Sequence, residues 1–467
     1  LVGSQLTEPV VEALGAAFAD EMAAEHEGVA GLELAVGHDM RDSSPGFAAA
    51  FARGAQARGA SVIMLGLCST DETYFASGRY GLPAAMFTAS HNPATYNGIK
   101  FCRPGAQGIS VDTGLGAIRD RAQAYLDAGT AVAGVVAADI PAVDAPGTIS
   151  DRDVLPGYAA YLRELVDLST VRPLRVVVDA GNGMGGLTVP AVLGTAAGLR
   201  ALPLEIIPLY FELDGTFPNH EANPLEPANL VDLQKAVVAH GADLGLAFDG
   251  DADRCFVVDE LGQPVTPSAV AAIVALREIE RVRAAGETGE IVVLHNLITS
   301  RIVPETITGA GARAVRTKVG HSLIKDVMHE TGAIFGGEHS AHYYFRDFWG
   351  ADNGMLAAMH LIAQFGQYEG PLSALAAAFT PYTASGEINS TVDDVPAAYT
   401  RIVEAFSARG TLDELDGLTF SGGDRDDWWW FTVRPSNTEP LLRLNAEARR
   451  PETMVAIRDE VLGLIRR

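Results

Sequence analysis

Short apolar runs alternate with longer stretches of helical periodicity along most of the chain. Leu32–Asp39 (LELAVGHD), Ala60–Cys68 (ASVIMLGLC) and Ala84–Ser90 (AAMFTAS) read as strands, with helices at Val10–His26 and Ser43–Gly59 around them. That alternation predicts an α/β fold built on a mixed, largely parallel sheet. The turn-rich segment Val143–Asp151 closes this first unit. A second opens with the strand and glycine-rich turn of Leu174–Gly186 and continues through Ala242–Glu260, which reads as strand, acidic loop, strand. After Leu261–Ala269 comes a third, through Gly289–Leu297, Ala312–Gly332 and Ala333–His342, ending in a helix at Asn353–Gly366. Beyond the break at Phe379–Asn389 the texture becomes α+β: a helix at Pro396–Gly410, strands at Trp428–Ser436 and Leu441–Ala448, and a last helix. The expected domains are 1–152, 153–262, 263–376 and a smaller 377–467. No low-complexity stretch and no short repeat interrupts them.

Composition narrows the function. A net charge of −25 argues against nucleic acid and anionic membranes, which need clustered cations. No apolar run approaches the roughly 18–20 residues of a membrane span. Three scattered cysteines, Cys68, Cys102 and Cys255, make neither a disulfide framework nor a zinc pattern and suit a reducing cytoplasm. The chain opens on Leu1 rather than Met, so a further N-terminal stretch is expected. Only four of its 34 basic residues are lysine: Lys100, Lys235, Lys318 and Lys325. Lysine kept in so arginine-rich a chain points to places where a compact or deprotonatable amine matters.

Each α/β unit places a Gly- or Asp-rich loop just after a strand, where open α/β sheets bind ligands. In Thr88–Lys100 (TASHNPATYNGIK) Ser90 stands beside His91. A hydrolase triad would ask for a G-x-S-x-G elbow, which is absent, and successive side chains diverge. The bland alternative is a turn with a capping serine. In Leu246–Phe256 (LAFDGDADRCF) Asp249, Asp251 and Asp253 alternate, so three carboxylates can meet one cation. A calcium loop of the EF-hand type would need glycine where Arg254 stands, and helical flanks. The set suits Mg²⁺, with Arg254 bonding the same phosphate; the alternative is an exposed acidic hairpin. In Gly336–Asp347 (GGEHSAHYYFRD) Glu338 and Ser340 alternate and can hydrogen-bond adjacent sugar hydroxyls, while His339 and His342 are acid–base candidates. In Val433–Pro440 (VRPSNTEP) Arg434, Ser436, Asn437 and Thr438 form a compact anion cradle, or a polar turn. Gly181, Gly183 and Gly186 fit G-x-G-x-x-G, a dinucleotide signal that lacks its acidic partner at the end of the next strand.

The first four loops, in this order and spacing, resemble those of the α-D-phosphohexomutase family over essentially the whole chain. The continuation Gly337–Met355 is most similar to the bacterial phosphomannomutase/phosphoglucomutase branch. The resemblance implies three related α/β domains and a smaller fourth around one central cleft. It implies that Ser90 carries a phosphoryl group, that Mg²⁺ is held by Asp249, Asp251, Asp253 and that phosphoserine, and that a hexose 1,6-bisphosphate turns over in the cleft. Lys100 would be a general acid or base with a lowered pKa, Arg41 a further basic residue of the site, His91 a phosphate contact and His342 a second acid–base group. Arg254, Lys318, His321, Glu338 and Ser340 would contact substrate. Arg434, Ser436, Asn437 and Thr438 would grip its non-reacting phosphate. Two departures stand out: the sequence opens at Leu1, just past the point where the family carries a Tyr-Asp-x-Arg-Gly stretch, and His295–Arg301 lacks a lysine that some relatives carry. The expected activity is phosphomannomutase/phosphoglucomutase, on sugar phosphates, by a monomer or homodimer. Phosphoglucosamine mutase and a Mg²⁺-dependent phosphatase are the alternatives.

Overall fold

The computed structural model describes residues 1–26, 28–29, 31–128, 145–435 and 441–467. The first sheet runs in the order Gln107–Gly108, Ile99–Arg103, Ala84–Phe87, Glu33–His38, Ser61–Leu67, Ile149–Asp151. Its last four strands are parallel, and Ile99–Arg103 turns back antiparallel on Ala84–Phe87. The helices Glu8–Glu25 and Ser44–Ala57 bury alanine-rich faces on it, around Phe18, Phe51 and Phe87.

The second sheet repeats the device. Leu174–Asp179 and Leu244–Phe248 are parallel, and Cys255–Asp259 returns antiparallel. So does the third: Val292–Asn296 and Phe335–Gly337 are parallel, and Tyr343–Phe345 returns. In all three units the chain reverses from the parallel core into an antiparallel hairpin, and the reversal is the loop that sequence singled out. It is residues 88–98 in the first unit, 249–254 in the second and 338–342 in the third. A parallel strand buried on both faces ends abruptly in polar residues there, because the loop must leave the core.

One apolar core runs through the first three units, from Tyr74 and Phe75 through Val176–Val178 to Phe348 and Met359. The fourth unit has its own, around Ile402, Phe406, Phe420, Phe431 and Leu444. Its five-stranded sheet is wholly antiparallel. Thr383–Thr391, expected as a break, is an edge strand of this sheet. Its register shifts between Ala384 and Glu387, beside Gly386 at φ +68°, and this bulge erases the alternation that would have marked a strand. Ile149–Asp151, expected in a turn-rich boundary, is a strand as well. Among the described residues no helix is long and apolar enough to cross a membrane, and all three cysteines are free and buried.

Candidate active site

The strand Ala84–Phe87 delivers Ser90 in a left-handed backbone conformation, φ +50°, with its N–H donated to Thr88 Oγ1 at 2.9 Å. The Ser90 hydroxyl donates to Asp249 Oδ2 at 2.8 Å and accepts from Arg254 Nη2 at 2.9 Å. His91 Nδ1 is 3.4 Å away and also accepts from Arg254. Burial, then the charge of Arg254, pushes His91 down to about 4. It is a neutral ring with its acceptor nitrogen engaged, and a poor base for its neighbour.

The acidic loop folds tightly enough to aim all three aspartates inward. Ala252 is left-handed at φ +64°, and the Arg254 N–H is donated to Asp249 Oδ1. Gly250 packs against the serine loop so closely that a Cβ there would overlap the carbonyl oxygen of Ser90. Asp249, Asp251 and Asp253 are buried, with one oxygen from each within 4.8 Å of the others. Asp251 Oδ2 accepts from Lys100 Nζ at 2.7 Å and from Thr70 Oγ1 at 2.5 Å, and Asp253 Oδ2 accepts from Lys100 Nζ at 2.6 Å.

This donor set suits a hard divalent cation. Oδ1 of Asp251 and Oδ1 of Asp253 are buried without a hydrogen-bond donor, which is costly unless a cation takes them. Lys100 and Arg254 bond these three carboxylates, and burial still pushes Asp249 up to about 7 despite Arg254.

Lys100 differs from its expected chemistry. Burial pulls its amine down, but Asp251 and Asp253 outweigh burial and hold it well above the ordinary lysine value. In this arrangement it is a fixed ammonium, not a lysine with a lowered pKa. Arg41 differs in place. It is buried behind the serine loop, with Nε on Asp39 Oδ2 and its four terminal N–H groups on the carbonyls of Ser90, Asn92, Pro93 and Tyr96, at 2.7–3.1 Å. All five donors are spent on this brace, so Arg41 holds the loop and has none left for substrate.

The loop 338–342 joins the cluster through His342. Its backbone pairs with Arg254 in an isolated antiparallel bridge, and its Nε2 is 3.7 Å from Asp253 Oδ1. Ser340 Oγ lies 3.2 Å from His342 Nδ1 across the turn made by Ala341 at φ +65°. Glu338 is buried, and burial raises its pKa. Its oxygens accept from Asn296 Nδ2, Tyr344 OH and the Gly320 N–H. Lys318 is exposed past the strand Arg313–Thr317. The His321 side chain, and Ser436, Asn437 and Thr438 entirely, lie outside the described residues. Arg434 Nη2 bonds Glu387 Oε2 at 3.1 Å.

Ser90, His91, Lys100, Asp249, Asp251, Asp253, Arg254, Ser340 and His342 thus form one connected cluster drawn from three units. Family models for phosphoglucomutase/phosphomannomutase match in order: the first alpha/beta/alpha domain at residues 1–127, the second at 156–262, the third at 266–382 and the C-terminal domain at 387–464. A protein named "Phosphohexose mutases" from Xanthomonas campestris pv. campestris is 38% identical, over 100% of this chain and 97% of its own. The chain belongs to the phosphoglucomutase/phosphomannomutase family. A phosphomannomutase of Salmonella montevideo is 36% identical over 99% of this chain and 96% of its own. The crystal structure of a family protein from Burkholderia thailandensis superposes with a TM-score of 0.83 at 28% identity, covering 99% of this chain and 94% of that one.

Sequence reasoning missed several supporting residues of this family member. Thr70 is one: Ser69 to Glu72 form a legible capping box, but nothing local ties Thr70 to Asp251. Another is the pair Lys325–Asp352, 2.7 Å apart and buried, with Lys325 over the Tyr74 ring. The Gly181–Gly186 turn has a structural role here. The Met184 N–H is donated to the Gly250 carbonyl, and a Cβ on Gly183 would stand 2.7 Å from that oxygen, so the glycines seat the loop of the three aspartates.

Proposed function

We propose that the protein interconverts hexose 1-phosphates and hexose 6-phosphates, with mannose and glucose phosphates as first substrates, through a phosphoserine at Ser90. The observation that carries this reading is the Ser90 hydroxyl, held at once by Asp249 and by Arg254 beside three buried carboxylates. Such a site answers to phosphoryl transfer, where positioning and charge neutralisation do most of the work.

Asp249, Asp251 and Asp253 would hold Mg²⁺ together with an oxygen of the phosphoserine. The ion would supply charge neutralisation at the transferring phosphoryl group. The chain's own residues do the rest. Arg254 bonds the phosphoryl oxygens as charge grows on them. In the first half-reaction the O6 hydroxyl of a hexose 1-phosphate attacks phosphorus: the O6–P bond forms, the Oγ–P bond breaks, the O6 proton leaves to a base, and the departing Oγ takes up a proton to restore the Ser90 hydroxyl. His342 and Lys100 are the candidate acceptors, Lys100 once a cation takes over the oxygens of Asp251 and Asp253 that now hold it, whereas His91 is engaged by Arg254. The bisphosphate reverses in the cleft. Ser90 Oγ then gives up its proton and takes the phosphoryl group from O1, the O1–P bond breaks, and O1 takes up a proton. Glu338 and Ser340 hold sugar hydroxyls in either orientation, and Arg434, Ser436, Asn437, Thr438, Lys318 and His321 hold the remaining phosphate and sugar. Lys100 stabilises the charge.

A panel of mannose, glucose and glucosamine 1-phosphates with catalytic bisphosphate tests the reading. Conversion to the 6-phosphates is expected, with one phosphoryl group on the intact protein that Ser90→Ala removes. Release of free phosphate would instead make the protein a phosphatase, and a preference for glucosamine 1-phosphate would move it to that branch.

A further inference from the structure

The brace on the serine loop has a lid from another unit. Phe217, in the second unit, lies over the Arg41 guanidinium, 5.1 Å from its carbon to the ring centroid. Two residues earlier Gly215 is buried against Arg41 itself, where a Cβ would stand 2.6 Å from the Arg41 Cα and 3.0 Å from the Met40 carbonyl oxygen. Phe217 is half-buried and sits at φ +54°. A bulky L-residue is strained in that region and glycine is not, so the local backbone gives no reason for phenylalanine. Strain of this kind persists where the surroundings over-determine it. Here the surroundings are explicit. The strap that carries Phe217 is pinned to the glycine-rich turn: Asn182 donates its backbone N–H to the Tyr210 carbonyl and its Nδ2 to the Glu212 carbonyl, and accepts from the Asp214 N–H and from Asn219 Nδ2. The same turn seats Gly250 of the metal loop.

We propose that Phe217 is a positioning residue for Ser90, acting through Arg41. The in-plane N–H groups of the guanidinium are committed to the carbonyls of Ser90, Asn92, Pro93 and Tyr96, and the ring of Phe217 covers one of its faces and fixes its plane by cation–π attraction. A fixed plane fixes four carbonyls, and with them the direction of the Ser90 side chain toward Asp249. The glycine-rich turn thereby references the serine loop and the metal loop to one point of the second unit.

The inference rests on the mutase reading of Ser90. Its test uses the full chain with Phe217→Leu, Phe217→Tyr and Gly215→Ala, assayed with glucose 1-phosphate, mannose 1-phosphate and catalytic hexose 1,6-bisphosphate. Rephosphorylation of Ser90 by the bisphosphate is followed by intact mass. Phe217→Leu keeps apolar cover but no ring face, and kcat and the rephosphorylation rate are expected to fall about tenfold with KM within about twofold. Phe217→Tyr is expected to hold both rates near wild type. Gly215→Ala, which pushes the strap off Arg41 while leaving the ring, is expected to follow Phe217→Leu and so reaches the contact by a second route. Wild-type rates in Phe217→Leu, or equal losses in the Leu and Tyr variants, would overturn the proposal. A wild-type protein that neither carries phosphate on Ser90 nor converts a hexose 1-phosphate would instead overturn the mutase reading.

Discussion

Ser90 and Asp249 are 159 positions apart in sequence and joined by a 2.8 Å hydrogen bond in which the serine hydroxyl is the donor. A phosphorylated Ser90 has no proton left to donate. Loading the serine therefore removes this bond and sets new negative charge beside a buried carboxylate already short of compensation.

Removal of divalent cations follows directly. After EDTA treatment, bisphosphate is expected to phosphorylate Ser90 at least about a hundredfold more slowly, read by intact mass, and mutase turnover should vanish with it. Mg²⁺ should restore both. Undiminished phosphorylation in EDTA would separate the three aspartates from the chemistry.

Lys100→Met is expected to move two quantities in opposite directions. Without the ammonium at 2.6–2.7 Å, Asp251 and Asp253 attract a cation more strongly, so Mn²⁺ binding by calorimetry should tighten. Turnover should fall about 10²–10³-fold, because a fixed positive charge at the phosphoryl group is lost. Weaker metal binding in this variant would mean that Lys100 organises the aspartates rather than competing at them.

Gly250→Ala tests the contact between the serine and metal loops. The added Cβ overlaps the Ser90 carbonyl oxygen, and the two loops have to separate. A displacement of this order at a reacting oxygen costs about 10²-fold in kcat, while global folding, read by circular dichroism, should be retained. An active Gly250→Ala enzyme would show that the serine finds its partner by another route.

The pH dependence of stability is expected to carry the mark of Glu72. Burial pushes Glu72 up to about 8, against the hydrogen bonds it accepts from Ser69. An acid with a raised folded pKa supports folding below its unfolded value and loses that support as pH rises through the folded one. Wild type should therefore lose thermal stability relative to Glu72→Gln between about pH 5 and pH 8. Parallel melting curves for the two proteins across that range would contradict the assignment.

What was legible in the sequence was what local rules control. The strands Glu33–His38, Ser61–Leu67 and Leu244–Phe248 are apolar runs that end in turn residues, and the helix Glu8–Glu25 is a long run rich in alanine and other helix formers. The three aspartates were visible because no ordinary turn asks for three. Thr383–Thr391 was hidden by its bulge. The place of Arg41 is hidden because a cation near a phosphate loop looks the same in sequence whether it faces the ligand or the loop's own carbonyls. The charge state of Lys100 is hidden for a related reason. Its scarcity marked it out, but the two carboxylates that set its charge lie 151 and 153 positions away. Lys325–Asp352 and Phe217–Arg41 are long-range pairs of residues that look ordinary in isolation.

The loops of Ser90, of the three aspartates and of Glu338 and Ser340 all occupy the reversal from parallel core to antiparallel hairpin, once in each of three sheets. One architectural module has thus been used three times, and each copy carries a different third of the chemistry. No copy holds both Ser90 and the three aspartates. A severed first unit would present Ser90 without Asp249 or Arg254, and a severed second unit would present carboxylates with nothing to transfer. Catalysis is in this sense a property of the seams between modules, and changes in how neighbouring copies abut can retune it without touching a single catalytic side chain.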